Sequence, residues 1–153
     1  MRTWRFLGAL VLGLSACGGA ADSGDGGVAD AGIPTACPAS DATQSVASAA
    51  GTYTVDACAS PAPPVRGENA FAFAITTAAG APATGLTVSV QPWMPDMGHG
   101  SPTTPTVTDL GNGVYQVTNV VFQMGGLWQL RTTLTGSSES SASDSAIVQF
   151  TID

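Results

Sequence analysis

Hydrophobic and polar residues alternate along several short segments of the chain, and clusters of Gly, Pro, Ser and Asp separate these segments. No window repeats apolar residues at intervals of three and four, as an amphipathic helix would. Alternating runs rich in Val, Thr, Tyr, Phe and Trp are typical of β-strands that have one face in solvent. The pattern predicts seven strands, at 52–57, 69–76, 86–93, 106–109, 114–121, 127–134 and 146–152.

Seven short strands without helices predict an all-β sandwich. The alternation also identifies the side chains that should face the core. These are Phe71, Phe73, Ile75, Leu86, Val88, Val90, Trp128, Leu130, Leu134, Val148, Phe150 and Ile152. The segment at 51–153 has a common size for a domain with a single core, so we expect one domain there and no second.

The N-terminus has the features of an export signal. Two arginines precede an apolar run at 6–14 that is too short to span a bilayer. The run ends in Leu-Ser-Ala-Cys at 14–17, which resembles a bacterial lipobox. We therefore expect a signal peptide at 1–16, lipidation of Cys17, and a protein held at the cell envelope, facing the periplasm or on the outer membrane. The alternative is an ordinary secretory signal with a chance cysteine.

A segment dominated by Gly, Ala, Asp and Ser follows, and it has little apolar surface to bury. We interpret 17–50 as a disordered, flexible tether. Cys37 and Cys58 remain as a pair in an oxidising compartment, and a disulfide is their simplest use. It would stabilise the domain by up to about 3 kcal/mol. Copper ligation by the two thiolates is the alternative.

The charge of the chain limits its partners. Removal of the signal peptide would leave Arg66 and Arg131 as the only basic residues against eleven acidic ones, and the chain contains no lysine. Binding to nucleic acid needs clustered Lys and Arg, so nucleic acid is excluded as a partner. The same charge opposes attraction to anionic lipid. The expected membrane attachment is therefore the lipid on Cys17.

Soft metal ligands are concentrated in one part of the sequence. Apart from the initiator, all methionines and the single histidine lie within 94–124, as Met94, Met97, His99 and Met124. Thioether sulfur and imidazole suit copper, above all Cu(I). In an up-and-down sandwich, the loops that follow the third and fifth strands share one end of the domain. The four side chains are therefore predicted to form a copper site.

Three further residues are expected around the predicted copper site. Trp93 and Trp128 would form its aromatic surroundings, with Trp93 as a hydrophobic or cation–π wall. Asp96 is a weak copper ligand and is interpreted as a turn residue beside the site. Pro95 stiffens this loop, and Gly98 allows its backbone to turn.

The sequence also bears on two other functional classes, an interaction module and an enzyme. Methionine often fills gaps in a core, and a lone loop histidine is usually solvated, so the same residues could serve an interaction module with an adaptable apolar patch. An enzyme is not expected. One histidine cannot supply a His-rich redox copper or catalytic zinc site, and Ser101 is wrongly placed to be a nucleophile activated by His99.

Three motifs resemble the YtkA-like domain family, with FixH-like proteins as a neighbouring group. They are MPxMGH at 94–99, GxY at 113–115 and FxMxGxW at 122–128. The likeness spans about 52–152. It implies an immunoglobulin-like β-sandwich, exported or membrane-anchored, with a role in copper handling or oxidase assembly. The implied partner is a copper-handling protein or an oxidase assembly factor. The alternative is a non-metal module accessory to an envelope transporter or oxidase.

Overall fold

The computed structural model describes residues 32–137 and 143–153, and all regular elements in these ranges are strands. The nine strands are β1 Gln44–Ala47, β2 Tyr53–Ser60, β3 Gly67–Thr77, β4 Thr87–Met94, β5 His99–Gly100, β6 Thr106–Gly111, β7 Val114–Phe122, β8 Gly126–Thr135 and β9 Asp144–Ile152. No membrane-crossing helix is present in the described ranges.

The strands form two antiparallel sheets that pack face to face. One sheet has the order β1-β2-β3-β7-β6, and the other has the order β5-β4-β8-β9. The order β2-β3-β7-β6 opposite β4-β8-β9 is that of the ABED and CFG sheets of the immunoglobulin fold. The predicted all-β, immunoglobulin-like sandwich is thus confirmed, with nine strands in place of about seven.

The core lies between the two sheets and contains the side chains that the alternation assigned to it. All twelve are buried except Leu86 and Val88, which are half-buried. Aromatic contacts join the sheets: the rings of Phe71 and Phe150 have centroids 5.3 Å apart, and those of Phe122 and Trp128 are 5.2 Å apart. Such contacts add to the free energy gained from burial of their area.

The ordered domain begins earlier than predicted. Strand β1 lies inside the predicted tether, where it pairs with β2 at the edge of the five-stranded sheet. The predicted disulfide is confirmed, and both Cys37 and Cys58 are buried. The disulfide joins the segment that precedes β1 to strand β2. This link explains how a polar segment with little apolar surface is held on the sheet. Residues 17–31 of the predicted tether lie outside the described residues.

The tight hairpin between β6 and β7 positions Tyr115 at one end of the domain. Gly113 has a φ of +74°, and a Cβ there would lie 2.6 Å from the carbonyl oxygen of Ile75, so only glycine fits. The buried Tyr115 hydroxyl donates to Ala83 O and accepts from Leu86 N–H, both at 3.0 Å. It thereby holds the crossover between the sheets. Burial raises the pKa of Tyr115, although the hydrogen bond from Leu86 opposes this rise.

Three loops meet at the end of the sandwich opposite the Tyr115 hairpin. They are the β2–β3 loop at 61–66, the β4–β5 turn at 95–98 and the β7–β8 connection at 123–125. We call this the methionine end, because it carries all three methionines of the described ranges. The Arg66 side chain joins two of its loops by donating from Nε to Gln123 O at 3.0 Å.

Candidate functional site

The turn between β4 and β5 places Met94 and His99 opposite each other. The two residues are direct partners in the antiparallel ladder. Gly98 makes the turn possible with a φ of +69°, and its N–H donates to Met94 O at 2.9 Å. Directly paired residues point to the same face of a sheet, with Cβ atoms about 5 Å apart. The hairpin therefore presents a thioether and an imidazole on one face.

Met94 is the last residue of β4 and belongs to the core. Only 3% of its surface is exposed, whereas the sequence placed it in a loop after a strand that ended at Trp93. Gly126 makes room for it, because a Cβ on Gly126 would lie 2.9 Å from the Met94 Cε atom. The glycine of the FxMxGxW motif thus serves the methionine that begins the MPxMGH motif.

His99 is half-buried beside Trp128. Their ring centroids are 6.5 Å apart, and the ring planes are inclined by 81°. His99 Nδ1 lies 3.1 Å from the carbonyl oxygen of Gly100. A carbonyl oxygen only accepts hydrogen bonds, so the proton of a neutral ring is assigned to Nδ1. This tautomer leaves the lone pair of Nε2 for a ligand or a metal.

Trp128 connects the hairpin to the β7–β8 connection. Its side chain is fully buried, and its indole N–H donates to Met124 O at 2.9 Å. The Met124 side chain is partly buried and packs against the core. Arg66 holds the adjacent Gln123 carbonyl from the other side. Met94, His99, Trp128 and the backbone of Met124 therefore form one connected group at the methionine end.

Met97 and Asp96 lie in the turn itself. Met97 is 60% exposed, and Asp96 is exposed as well. Asp96 is thus a turn residue, as its sequence context indicated. Met97 is the predicted ligand that the structure leaves most open to solvent, and its contact with the other sulfur atoms would require the turn to bring it inward.

Trp93 is not beside the predicted copper site. Adjacent residues of a strand point to opposite faces, so Trp93 faces outward where Met94 faces inward. Its ring packs under the guanidinium of Arg131, with Cζ 4.6 Å from the ring centroid. The expected hydrophobic or cation–π wall beside the metal is therefore not formed by Trp93 in this arrangement, where its ring contacts Arg131.

Two features of the site were not assigned from sequence. Gly126 makes room for Met94, and its signal was its place within the FxMxGxW motif of this chain. Arg66 fastens the β7–β8 connection, and its signal was its rarity as one of two basic residues after residue 16. Neither role could be predicted from the sequence, because each depends on contacts that only the fold creates.

Other donor groups in the described part of the chain are dispersed. Residues 32–137 and 143–153 contain no group of three or more His, Cys, Asp or Glu side chains placed to hold a metal ion. The cysteines are joined to each other, so the thiolate alternative is not what the structure contains. Cys17, the predicted lipidation site, lies outside the described residues. A metal site at the methionine end would depend on thioether sulfur.

The chain belongs to the YtkA-like family. The sequence pattern of that family, described as YtkA-like, matches residues 47–133, which is more than half of the chain. The match covers β2 to β7 and most of β8, and it includes the turn at 95–98 and the connection at 123–125. Neither a curated protein nor a solved structure matches the chain.

Proposed function

We propose that this protein binds Cu(I) at the methionine end and holds it or passes it on at the cell envelope. The observation that supports this proposal most is the direct pairing of Met94 with His99 across the β4–β5 turn. Two soft or borderline donors are brought to one face, and the second methionine loop is fastened to the same group through Trp128. Copper is the proposed cofactor.

The donors suit the cuprous ion. Thioethers are neutral, need no deprotonation and are soft ligands, and a neutral imidazole with a free Nε2 completes a set suited to Cu(I). Met94 and His99 are the central proposed ligands, with Met97 and Met124 completing the set. These side chains would bind Cu(I), and the fully buried Trp128 would make its surroundings less polar.

The difference in exposure between the methionines supports exchange of the metal. Met97 is 60% exposed, whereas Met94 is 3% exposed. A ligand at the surface can be the first to meet copper carried by a donor and the last to release it to an acceptor. The proposed partner is therefore another copper-handling protein or an oxidase assembly factor.

Attachment to the membrane is proposed from the sequence. The tetrapeptide at 14–17 supports lipidation of Cys17 and an envelope location. A radiolabelled fatty acid supplied to an expressing bacterium should be incorporated into the protein and lost from the Cys17→Ser variant. Label that persists in this variant would contradict the anchor.

Copper binding is tested by competition between the full chain and a coloured Cu(I) chelator under reducing agents too weak to open the disulfide. We expect one Cu(I) per chain for the wild type and no uptake by the Met97→Ala, His99→Ala double variant. The control is Leu110→Ala, which removes another exposed apolar side chain, 41% exposed, away from the proposed ligands. Unchanged uptake by the double variant would reject the ligand assignment.

The exposure of Met97 also favours a second candidate, a docking module without metal. In that case the methionine end would bind a protein of an envelope transporter or oxidase through apolar contacts. Binding to an assigned partner would be equally strong with and without a Cu(I) chelator. This binding would be weakened by Met97→Ala and preserved in His99→Ala. A contact that depends on copper would be lost in both variants.

A further inference from the structure

A groove lined mostly by polar residues, together with Val90, Pro92 and Pro105, lies along the β4–β8 pair and includes the outward side chains of both strands. Its volume is about 550 Å³, and its second wall is the segment 101–105 that follows β5. The wall is held on β4 by a hydrogen bond from Ser101 N–H to Pro92 O at 3.2 Å. A volume of this order suits a small ligand.

Direct cross-strand pairs build the floor of the groove. Ser89 is opposite Thr133, and Gln91 is opposite Arg131. Residues two apart on a strand share a face, so these four side chains form one polar patch. Ser101, Thr103 and Thr104 add hydroxyl groups from the wall. The described lining contains no Asp or Glu.

Two contacts restrict the exposed Arg131 side chain at this groove. Its guanidinium lies over the Trp93 ring, and its Nε–H donates to Gln129 Oε1 at 3.2 Å. Both contacts restrict the side chain. The hydrogen bond uses Nε–H and leaves the terminal Nη groups able to donate to a ligand. Arg66 differs, because it donates to a main-chain carbonyl oxygen. In a chain with eleven acidic residues, Arg131 thus lines a groove whose described residues supply no carboxylate.

We propose that this groove binds a carboxylated sugar, such as a uronic acid residue. The guanidinium is suited to a carboxylate because its N–H groups match the two oxygens of that group. Ser, Thr and Gln side chains can each donate and accept a hydrogen bond, as sugar hydroxyl groups do. One restricted cation beside several such groups therefore matches one carboxylate on a polyhydroxylated ring.

The sugar site is independent of the proposed copper site. The groove uses the outward side chains of β4, whereas Met94 faces inward from the same strand. A substitution in the groove leaves the four proposed copper ligands in place. Failure of one proposal would therefore not imply failure of the other.

The test is isothermal titration calorimetry of the copper-free full chain with D-glucuronate. We expect a dissociation constant on the order of 1 mM, as for a small ligand with few contacts. D-glucose, which lacks the carboxylate, and acetate, which lacks the hydroxyl groups, should each bind at least tenfold more weakly. The Arg131→Gln variant should also lose at least tenfold in affinity, and Thr133→Val should lose severalfold.

The matched control is Arg66→Gln, which removes the other cation of the described ranges and should bind glucuronate as the wild type does. Circular dichroism would verify that each variant is folded. The proposal would be overturned by absence of binding to the wild type at tens of millimolar glucuronate. Equal affinity for glucose or acetate, an unaffected Arg131→Gln variant, or equal loss in Arg66→Gln would overturn it as well.

Discussion

The indole N–H of Trp128, in strand β8, donates to the main-chain carbonyl oxygen of Met124, in the β7–β8 connection, at 2.9 Å. Because Trp128 is fully buried and lies against His99, this bond relates the backbone of one methionine loop to the imidazole of the other. The geometry of the methionine end therefore depends on a core residue as well as on its loops.

Trp128→Phe should destabilise the fold and loosen the β7–β8 connection. The variant removes the indole donor and leaves the Met124 carbonyl without it, a loss of about 1–3 kcal/mol in the free energy of unfolding. Urea denaturation measures this loss. Trp93→Phe is the control, because Trp93 is half-exposed and its cation–π contact is worth only about 0.5–1 kcal/mol. Equal costs for the two variants would contradict the role assigned to the Trp128 hydrogen bond.

Gly126→Ala should displace the Met94 side chain. The new Cβ would lie 2.9 Å from Met94 Cε at a φ of +127°. Gly67→Ala is the matched control, because Gly67 has a φ of +104° but open space around it. Both variants should lose about 1–2 kcal/mol of stability to backbone strain. Only Gly126→Ala should shift the NMR signal of a ¹³C-labelled Met94 methyl group, and an unshifted signal would speak against the contact.

Tyr115→Phe should weaken the link between the two sheets. The buried hydroxyl holds Ala83 O and Leu86 N–H, and its removal leaves both groups without this partner. We expect a loss of about 1–3 kcal/mol in the free energy of unfolding. Thermal unfolding measures this loss, and Tyr53→Phe, which changes a half-buried tyrosine, is the control. A Tyr115→Phe variant as stable as the wild type would refute this role.

Asp144 should make stability depend on pH in the acid range. Burial favours the neutral acid, but the N–H groups of Ala50 and Ser145, which donate to Asp144 Oδ1, and the nearby hydroxyl groups of Ser48 and Thr52 outweigh burial and lower the pKa of Asp144 from 3.8 to about 2. A depressed pKa means that the native state binds the proton less readily than the unfolded chain. The stabilisation is therefore complete above about pH 4 and is lost as the pH falls towards 2.

Asp144→Asn should flatten this acid dependence, because the amide does not titrate. The exposed Asp153→Asn variant should retain the wild-type profile. Urea denaturation between pH 2 and pH 7 compares the three proteins. A profile for Asp144→Asn that still falls as steeply as the wild type below pH 4 would contradict the assignment.

Alternation of side chains was sufficient to predict the sandwich but not its smallest strands. Strand β1 has Val46 as its main apolar residue, and β5 is two residues long, so neither carries a periodic signal. Both strands depend on partners elsewhere in the chain. β1 follows a disulfide-tied segment at the sheet edge, and β5 follows the turn that Gly98 allows.

The candidate site shows a similar limit. Its residue types and its position at one end of the domain could be predicted from the sequence, because loops after parallel-running strands share an end. The placement of Met94 required β4 to extend one residue beyond the predicted strand, because the alternation that places Val88 and Val90 inward then also places Met94 inward and Trp93 outward. The bond from Trp128 to Met124 and the use of Arg66 depend on packing between distant segments, which carries no local signal.

X-ray absorption spectroscopy of the full chain loaded with Cu(I) tests the central claim most directly. The copper-binding proposal predicts a first coordination shell that contains sulfur from methionine together with one nitrogen from His99, and loss of that nitrogen in His99→Ala. A shell made only of oxygen and nitrogen, or a spectrum unchanged by His99→Ala, would contradict it.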